Sequence, residues 1–327
     1  MLKTTVVGNY PKISSDKTSP NLRNALNLKD QGKISAAQLE QIFQETIKRV
    51  IREQEEAGID IITDGQIRWD DLLTPIAKNI PGVEIGGLIR FFDNNVYYRR
   101  PVIKSKVAFK NFSTVEQFKF AQANSKKIVK AVLPGPFTLA KLSLDEHYNN
   151  IEKLTLDLAE ILNQEAQELE KAGAKYIQLD EPSLCYNPDK TDLAKKAIER
   201  TFENVKAKKI LFFYFGSVKS LLPKISDFPV DVVGIDIVSR PENLEAILEN
   251  NFNKELILGC IDARNTKLET EEELFALFEK VTKRIPPEKI YISPSCGLEF
   301  LPQETAVKKL KKMVEVVKNF QREWLIE

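Results

Sequence analysis

The sequence has 327 residues, 43% hydrophobic and 29% charged, a composition typical of a globular protein with an ample core. Its 48 basic and 47 acidic residues leave a net charge of +1, so no overall field attracts nucleic acid or an anionic membrane. A single histidine, His147, excludes any mechanism that needs a histidine pair. No apolar run reaches the roughly 18 residues of a membrane helix, no signal peptide is recognisable, and the 3 cysteines lack CxxC spacing, so we expect a cytoplasmic protein.

Short apolar runs alternate with amphipathic stretches along the chain. In chain order, strands are predicted at 4–7, 59–63, 130–133, 176–179, 210–213, 232–235, 256–258 and 290–292. Helices are predicted at 36–57, 115–127, 154–172, 193–206 and 305–320. Continuous apolar strands indicate burial on both faces, as in parallel sheets. We therefore predict the α/β class and a single (β/α)8 TIM barrel domain over 1–327. The alternative is an open doubly wound sheet, but no GxGxxG follows the first strand.

The stretch 81–112 interrupts this alternation. Glycines punctuate it, aromatic residues cluster in it, and Asp93, Asn94 and Asn95 are typical of a hairpin turn. About 30 residues bury too little surface to fold alone. We therefore predict a β-rich hairpin insertion after the second strand, within the barrel domain.

Polar residues follow the predicted strands, where a barrel of this kind carries its active site. We predict catalytic roles for Asp180, Glu181 and Asp64. We predict substrate-binding roles for Asn9, Tyr10, Gln66, Arg68, Trp69, Tyr214, Asp236, Asp262, Arg264 and Asn265. Carboxylates combined with arginines and amides suit a zwitterionic or amine-bearing small molecule, and paired carboxylates can also perform acid–base chemistry.

Each of these candidates has a structural alternative. Asp180 and Glu181 are equally explained by an ion pair, Asp236 by a turn cap, and Arg68 and Trp69 by packing under the insertion. The three cysteines are predicted to be buried small residues, with Cys296 the best placed of them for chemistry. Spacing alone supports no metal site.

The strand ends taken together resemble the cobalamin-independent methionine synthase family. The motifs that carry the resemblance are Gly8-Asn-Tyr-Pro11, Gly32-Lys-Ile-Ser35, Asp64-Gly-Gln66, Leu133-Pro-Gly-Pro136, Gln178-Leu-Asp-Glu-Pro182, Tyr214-Phe-Gly216 and Cys260-Ile-Asp-Ala-Arg-Asn265. The resemblance implies methyl transfer to homocysteine in methionine biosynthesis, from a methyltetrahydrofolate-like donor or a methylcorrinoid. It also implies that Asp180 holds the amino group of homocysteine.

The departures from the family pattern concern zinc. The family's catalytic barrel has His-x-Cys at the fifth strand end, where this chain has Phe213-Tyr214-Phe215. A glutamate ligand would fall near Asp236, and only Cys296 matches a zinc-binding cysteine. The resemblance therefore implies a stand-alone version of the family's metal-free N-terminal barrel, with no tightly bound metal or cofactor, acting with a separate zinc-bearing barrel chain. Two alternatives stay open: an autonomous methyltransferase that uses Cys296 and the carboxylates, and a non-catalytic binding barrel.

Overall fold

The computed structural model describes residues 1–15, 21–250 and 252–324. Within them the strands are β1 (Lys3–Thr4), β2 (Ile61–Ile62), β3 (Val83–Arg90), β4 (Tyr97–Ile103), β5 (Ile128–Val129), β6 (Ala131–Pro134), β7 (Leu144–Asp145), β8 (Tyr176–Asp180), β9 (Lys208–Phe213), β10 (Val232–Asp236), β11 (Glu255–Ile261) and β12 (Ile290–Pro294). The α-helices are α1 (Leu22–Asp30), α2 (Ala36–Ala57), α3 (Thr74–Ala77), α4 (Val115–Ala123), α5 (Pro136–Leu142), α6 (Ile151–Lys171), α7 (Thr191–Thr201), α8 (Leu222–Ile225), α9 (Glu242–Glu249), α10 (Glu271–Thr282) and α11 (Gln303–Trp324).

The chain divides into two compact units. The first unit comprises Met1–Arg68, Phe120–Val129 and Ile257–Glu327, and the second comprises Trp69–Lys119 and Lys130–Leu256. Each contains parallel strands and the helices that cover them. One domain over 1–327 stays a prediction.

The first unit is built on parallel pairing between strands far apart in sequence. β1 pairs with β12, with Thr4 opposite Ile292, and β2 pairs with β5, with Ile61 opposite Ile128. A single bridge between Thr5 and Ile61 joins the two pairs. Helices α1 and α11 both pack against α2, and α10 packs against α11.

Helix α2 has the predicted bounds because both of its ends are specified locally. At the start, Ser35 Oγ accepts the N–H of Gln38 at 3.2 Å, and the Gln38 side chain accepts the N–H of Ser35 at 2.8 Å. This reciprocal capping box satisfies N–H groups that have no partner within the helix. At the end, Gly58 adopts a left-handed conformation with φ 88°, which only glycine reaches without strain.

The second unit is built on a parallel sheet in the order β6, β8, β9, β10. The register sets Asp180 between Pro134 of β6 and Phe212 of β9. Helix α6 packs against both α5 and α7. Because these strands are parallel, their carboxyl ends share one edge of the sheet. Asp180, Tyr214 and Asp236 therefore lie at the same edge.

The predicted hairpin insertion is present in the second unit. β3 and β4 are antiparallel with Ile89 opposite Tyr98, and the N–H of Phe91 donates to the carbonyl of Val96 at 2.9 Å to close the turn. The tip packs on the strand-end edge of the sheet. The ring of Phe92 stacks on Tyr186 with centroids 5.4 Å apart, and Phe91 meets Phe215 edge-on at 6.2 Å.

A buried carboxylate ties α6 to the start of α4. Glu165, 3% exposed, accepts the N–H groups of Ser113 at 2.9 Å and Thr114 at 2.6 Å, and the Thr114 hydroxyl at 2.7 Å. These donors stand at the N-terminus of α4, where backbone N–H groups lack helical partners. A side chain from another helix thus caps α4.

The predicted bounds differ from the observed ones at several elements. The predicted strand 130–133 corresponds to β6 at Ala131–Pro134, and β5 at Ile128–Val129, before Lys130, was not predicted. Helix α4 ends at Ala123 and α7 at Thr201, short of the predicted 127 and 206. After α7, Asn204 takes a left-handed φ of 60° and Glu170 accepts the N–H groups of Lys206 and Ala207, so the chain leaves the helix. No helix was predicted at the positions of α1, α3, α5, α8, α9 and α10.

A membrane-crossing helix was not found in the part of the chain that the structure describes.

Candidate active site

Asp180 is the last residue of β8, and its carboxylate accepts hydrogen bonds from two side chains. Its Oδ1 accepts the amide N–H of Gln178 at 2.7 Å, and its Oδ2 accepts the hydroxyl of Tyr214, after β9, at 3.2 Å. The Gln178 Oε1 in turn accepts from the Lys130 ammonium at 2.5 Å. Asp180 is 3% exposed, Gln178 0% and Lys130 2%. A lysine, an amide, a carboxylate and a phenol thus form one buried chain.

Burial shifts the pKa values of both charged members of this chain. Burial raises the pKa of Asp180 to about 7, although the Gln178 hydrogen bond, the Lys130 charge and the Tyr214 hydroxyl each lower it. Burial lowers the pKa of Lys130 to about 7, opposed by the charge of Asp180. Water is a better solvent for ions than this interior, and the charge on each of the two residues offsets part of the cost of burying the other.

Glu181 follows Asp180 in sequence but belongs to a different environment. Its Oε1 accepts the Thr138 hydroxyl at 2.5 Å and its Oε2 accepts the N–H of Phe137 at 3.2 Å, both in the first turn of α5. The backbone of Gly135 packs against the same carboxylate, where a Cβ would collide with it. Glu181 is fully buried, and burial raises its pKa to about 8. Its contacts fasten α5 to β8; the predicted catalytic role of Glu181 stays a prediction.

This shift predicts that Glu181 makes folding pH-dependent. A raised carboxyl pKa means that the folded protein binds a proton that the unfolded chain has lost between about pH 5 and pH 8, so stability falls as pH rises through that window. We expect Glu181→Gln to flatten this fall, which thermal denaturation at pH 5, 6.5 and 8 would measure. Glu168→Gln, at a half-buried glutamate of α6, should follow the wild-type curve. Parallel curves for Glu181→Gln and wild type would contradict the prediction.

Asp236 ends β10 and caps the loops around it. Its Oδ2 accepts the N–H of Phe215 at 3.0 Å, and its Oδ1 accepts the N–H groups of Val238 and Ser239, each at 2.9 Å. Burial raises its pKa, opposed by these hydrogen bonds. It holds Phe215 in a left-handed conformation with φ 68°. The contacts of Asp236 are therefore those of a turn cap, which is the structural alternative to a substrate-binding role.

In the first unit, the loop after β2 brings two predicted residues together. The N–H of Gln66 donates to Asp64 Oδ1 at 2.9 Å, and Gln66 has a left-handed φ of 49°. The Gln66 amide lies over Gly8, where a Cβ would stand 2.6 Å from Gln66 Oε1. Its Nε2 is buried and has no hydrogen-bond partner among the described residues. Burial raises the pKa of Asp64.

The loop after β1 carries Asn9 and Tyr10. The Asn9 amide donates to Glu299 Oε1 at 3.3 Å, and the N–H of Tyr10 donates to the carbonyl of Gly65 at 3.0 Å. Burial, followed by the charge of Glu53, raises the pKa of the Tyr10 hydroxyl. Tyr10 is therefore a neutral phenol at the end of β1.

Arg68 and Trp69 are engaged with protein partners. The Arg68 guanidinium forms two hydrogen bonds of 2.6 Å to the Glu40 carboxylate and lies 5.1 Å from the Phe43 ring centroid. In the second unit, the Trp69 indole donates to Gln117 Oε1 at 2.9 Å. Arg68 and Trp69 thus make packing and hydrogen-bonding contacts of the kind that the structural alternative describes, but their partners here lie on α2 and α4 and not in the predicted insertion.

The loop after β11 holds the remaining predicted ligand residues of the first unit. The N–H of Asp262 donates to Glu269 Oε1 at 2.8 Å, which also accepts from the buried Lys309 at 2.8 Å. Arg264 is exposed, and its N–H donates to Asp262 Oδ1 at 2.9 Å. Asn265 Oδ1 accepts the N–H of Lys267 at 2.9 Å. Lys309 of α11 thus anchors this loop.

The residues present do not fit the zinc site of the family's catalytic barrel. Phe213 and Phe215, which stand at the positions of the family's histidine and cysteine ligands, have no donor atom in their side chains, and the Asp236 oxygens accept hydrogen bonds from backbone N–H groups. Cys260 and Cys296 are buried, as predicted, whereas Cys185 has intermediate exposure. No group of three or more metal-ligating side chains occurs in residues 1–15, 21–250 and 252–324. Soft nitrogen and sulfur donors, which zinc prefers, are thus not gathered here.

Lys130 was not among the functional residues predicted from the sequence. Gln178 and Leu133-Pro-Gly-Pro136 appeared there only as parts of family motifs, without roles. A charged residue at the head of an apolar run was the available signal for Lys130. Thr138, which binds Glu181, left no comparable signal in the sequence.

Parallel strands, the helices between them and carboxylates at the strand ends define an α/β protein of the (β/α)8 barrel class with a polar strand-end site. A family profile described as the catalytic domain of cobalamin-independent synthase matches residues 2–319. The chain belongs to the cobalamin-independent methionine synthase family, as its motifs predicted.

Individual proteins similar to this chain belong to the same family. A methionine synthase of Saccharolobus solfataricus is 33% identical over 325 residues, covering 99% of this chain and 96% of the relative. One from Sulfurisphaera tokodaii is 32% identical over 99% of this chain and 94% of the relative. The structure of a B12-independent methionine synthase from Shewanella, in complex with selenomethionine, matches with a TM-score of 0.86 and 25% identity over 100% of both chains.

Proposed function

We propose that this chain is a methionine-synthase-type methyltransferase component that binds homocysteine for methylation by a methyltetrahydrofolate-like donor. The observation that carries the proposal is the hydrogen bonding of Asp180. Both of its oxygens accept hydrogen bonds, from Gln178 and Tyr214, as a carboxylate anion does. An anion at a strand end offers a site for an ammonium group.

The proposed ligand is an α-amino acid. Homocysteine carries an ammonium group for Asp180, and the Shewanella relative was solved with selenomethionine, another α-amino acid. In the first unit, the Gln66 amide offers a buried N–H donor for a ligand oxygen. We propose that Asp64, Asn9 and Tyr10, which line the ends of β1 and β2, also serve substrate binding, as do Arg264 and Asn265 after β11.

The thiol of homocysteine needs activation before it accepts a methyl group. A neutral thiol is a poor nucleophile, and at pH 7 only a small fraction of a free thiol is ionised. The family's zinc ligands do not fit this chain, so we propose that a separate zinc-bearing barrel chain supplies the activation. The methyl donor is proposed to be methyltetrahydrofolate-like, with a methylcorrinoid as the second candidate.

Metal analysis and a reconstituted assay test this proposal. We expect well under one zinc per purified chain, and no methyl transfer from methyltetrahydrofolate to L-homocysteine by the chain alone. Adding a family barrel that carries His-x-Cys and zinc should produce turnover above that of the added barrel alone at low donor concentration. A parallel reaction with methylcobalamin in place of methyltetrahydrofolate tests the second candidate methyl donor.

Several outcomes would contradict it. Stoichiometric, tightly bound zinc in the isolated chain would overturn the ligand argument. Activity of the chain alone that is lost in Cys296→Ser would favour the autonomous enzyme. Full activity of the partner without this chain, at low donor, would favour a non-catalytic binding barrel.

A further inference from the structure

Lys130 is a buried cation whose surroundings are unusual for a lysine. It lies between Val129 of β5 and Ala131 of β6 and is 2% exposed, among the largest fully buried side chains of the described residues. Its ammonium has no carboxylate within ion-pair distance among those residues, and it donates to an amide oxygen instead, Gln178 Oε1 at 2.5 Å. Burying an ammonium is costly, so a buried lysine without a direct ion pair requires a reason.

The hydrogen bond from Lys130 decides which way the Gln178 amide faces. An ammonium can only donate, so the oxygen of the amide turns towards it and the NH2 group turns away. That NH2 group meets Asp180 Oδ1 at 2.7 Å. Without the ammonium, the amide could rotate and present its oxygen to Asp180. The carboxyl group would then carry a proton to donate to it, and it would no longer be an anion.

We propose that Lys130 is a positioning residue that, through the Gln178 amide, keeps Asp180 an anionic acceptor aligned for a substrate ammonium group. Lys130 touches neither substrate nor reacting atoms. It acts in two ways, by setting the amide orientation and by adding a positive charge behind the carboxylate. The proposal rests on the proposed function in one respect, that Asp180 receives the amino group of the substrate.

The proposal has a consequence for pH. The titratable groups that act on Asp180 are Lys130, Tyr214 after β9 and the adjacent Glu181. Lys130 and the Tyr214 hydroxyl favour the carboxylate, whereas burial and the neighbouring Glu181 favour the protonated acid. Removing Lys130 should therefore raise the pKa of Asp180. Substrate binding near pH 7 should weaken as a result, and a higher pH should restore it by restoring the carboxylate anion.

The test compares Lys130→Met with wild type and with Lys208→Met. Methionine has nearly the length of lysine without the charge. Lys208 is a half-buried lysine at the opposite end of β9 that pairs with Glu255 at 2.6 Å, so its loss controls for removing a lysine. The first readout is 13C NMR of aspartate-labelled full-length protein, with the Asp180 carboxyl signal assigned by its loss in Asp180→Asn. We expect Lys130→Met to raise the Asp180 titration midpoint by about one pH unit or more, and Lys208→Met to leave it unchanged.

The second readout is the pH profile of KM for L-homocysteine in the reconstituted assay. Lys130→Met should raise KM about tenfold near pH 7, with recovery as pH rises and with kcat largely retained. Gln178→Met removes the N–H donor to Asp180 without adding a charge and should raise the Asp180 midpoint as well. It is the variant to measure if Lys130→Met does not fold.

An unchanged Asp180 midpoint in the variant that folds would overturn the proposal, whatever its thermal stability. The NMR readout requires no methyl transfer. A raised midpoint together with no gain in homocysteine turnover in the reconstituted assay would therefore uphold the role of Lys130 and refute the proposed function. A raised midpoint with an unchanged KM profile would show that Asp180 does not bind the amino group.

Discussion

Asp180→Asn is expected to raise the KM for L-homocysteine about 100-fold in the reconstituted reaction, equivalent to roughly 2.7 kcal/mol of binding free energy. Asparagine keeps the shape of the side chain and removes the charge that an ammonium group needs. The substitution should not unfold the protein, because burial already disfavours the charged form of Asp180 and raises its pKa to about 7. Thermal denaturation at pH 8 should show a variant at least as stable as wild type.

An analogue without the amino group provides the control for this prediction. With 4-mercaptobutanoate in place of homocysteine, wild type and Asp180→Asn should have KM values within about twofold of each other, since the interaction removed is absent from both. An equal rise in KM for both compounds would mean that the substitution disturbs the site in general. An unchanged KM for homocysteine would place the amino group elsewhere.

Glu165→Ala is expected to lower the free energy of unfolding by about 3–5 kcal/mol. The substitution removes the one carboxylate that accepts the N–H groups of Ser113 and Thr114 and the Thr114 hydroxyl. Those donors stay buried at the start of α4 and lose their partner, and α4 also loses a negative charge at its N-terminus. Equilibrium unfolding in guanidinium chloride measures the difference.

Two companion variants sharpen this prediction. Glu165→Gln should cost less, because an amide oxygen can still accept one of the hydrogen bonds. Glu168→Ala, on the same helix, removes only a 3.1 Å pair with the exposed Lys171 and should change stability by less than about 0.5 kcal/mol. A loss for Glu165→Ala no larger than that for Glu168→Ala would show that α4 is held by its packing alone.

Much of the fold could be predicted because its signals are local. The capping box at Ser35 and the glycine at position 58 both lie within a few residues of the ends of α2, whose bounds were predicted correctly. The hairpin follows from turn residues with an aromatic pair on each side, Phe91-Phe92 before the turn and Tyr97-Tyr98 after it. The ends of α4 and α7 were predicted less well. The chain after α7 donates to Glu170, a carboxylate on another helix that the local sequence does not identify.

The candidate site, too, was predicted correctly where its signals are local and less well where they are not. The apolar run before Asp180-Glu181-Pro182 identified a strand ending in carboxylates, and this placement is correct. Neighbouring residues at a strand end point to opposite sides, so Asp180 joins Gln178 and Tyr214 whereas Glu181 turns to α5. The two carboxylates were predicted to share a catalytic role, but their contacts differ: one faces a hydrogen-bond chain at the strand ends and the other fastens a helix.

Sequence alone determined the class of fold, the family and the strand ends that carry its polar residues, because periodicity, turn residues and short motifs are properties of neighbouring residues. Tertiary structure decided which of those residues are engaged elsewhere, as Arg68 is with Glu40 and Asp236 with backbone N–H groups. It also brought Lys130 to Gln178, 48 positions away in sequence. Such partners depend on the register between parallel strands, which joins distant parts of the chain and leaves no pattern in either part.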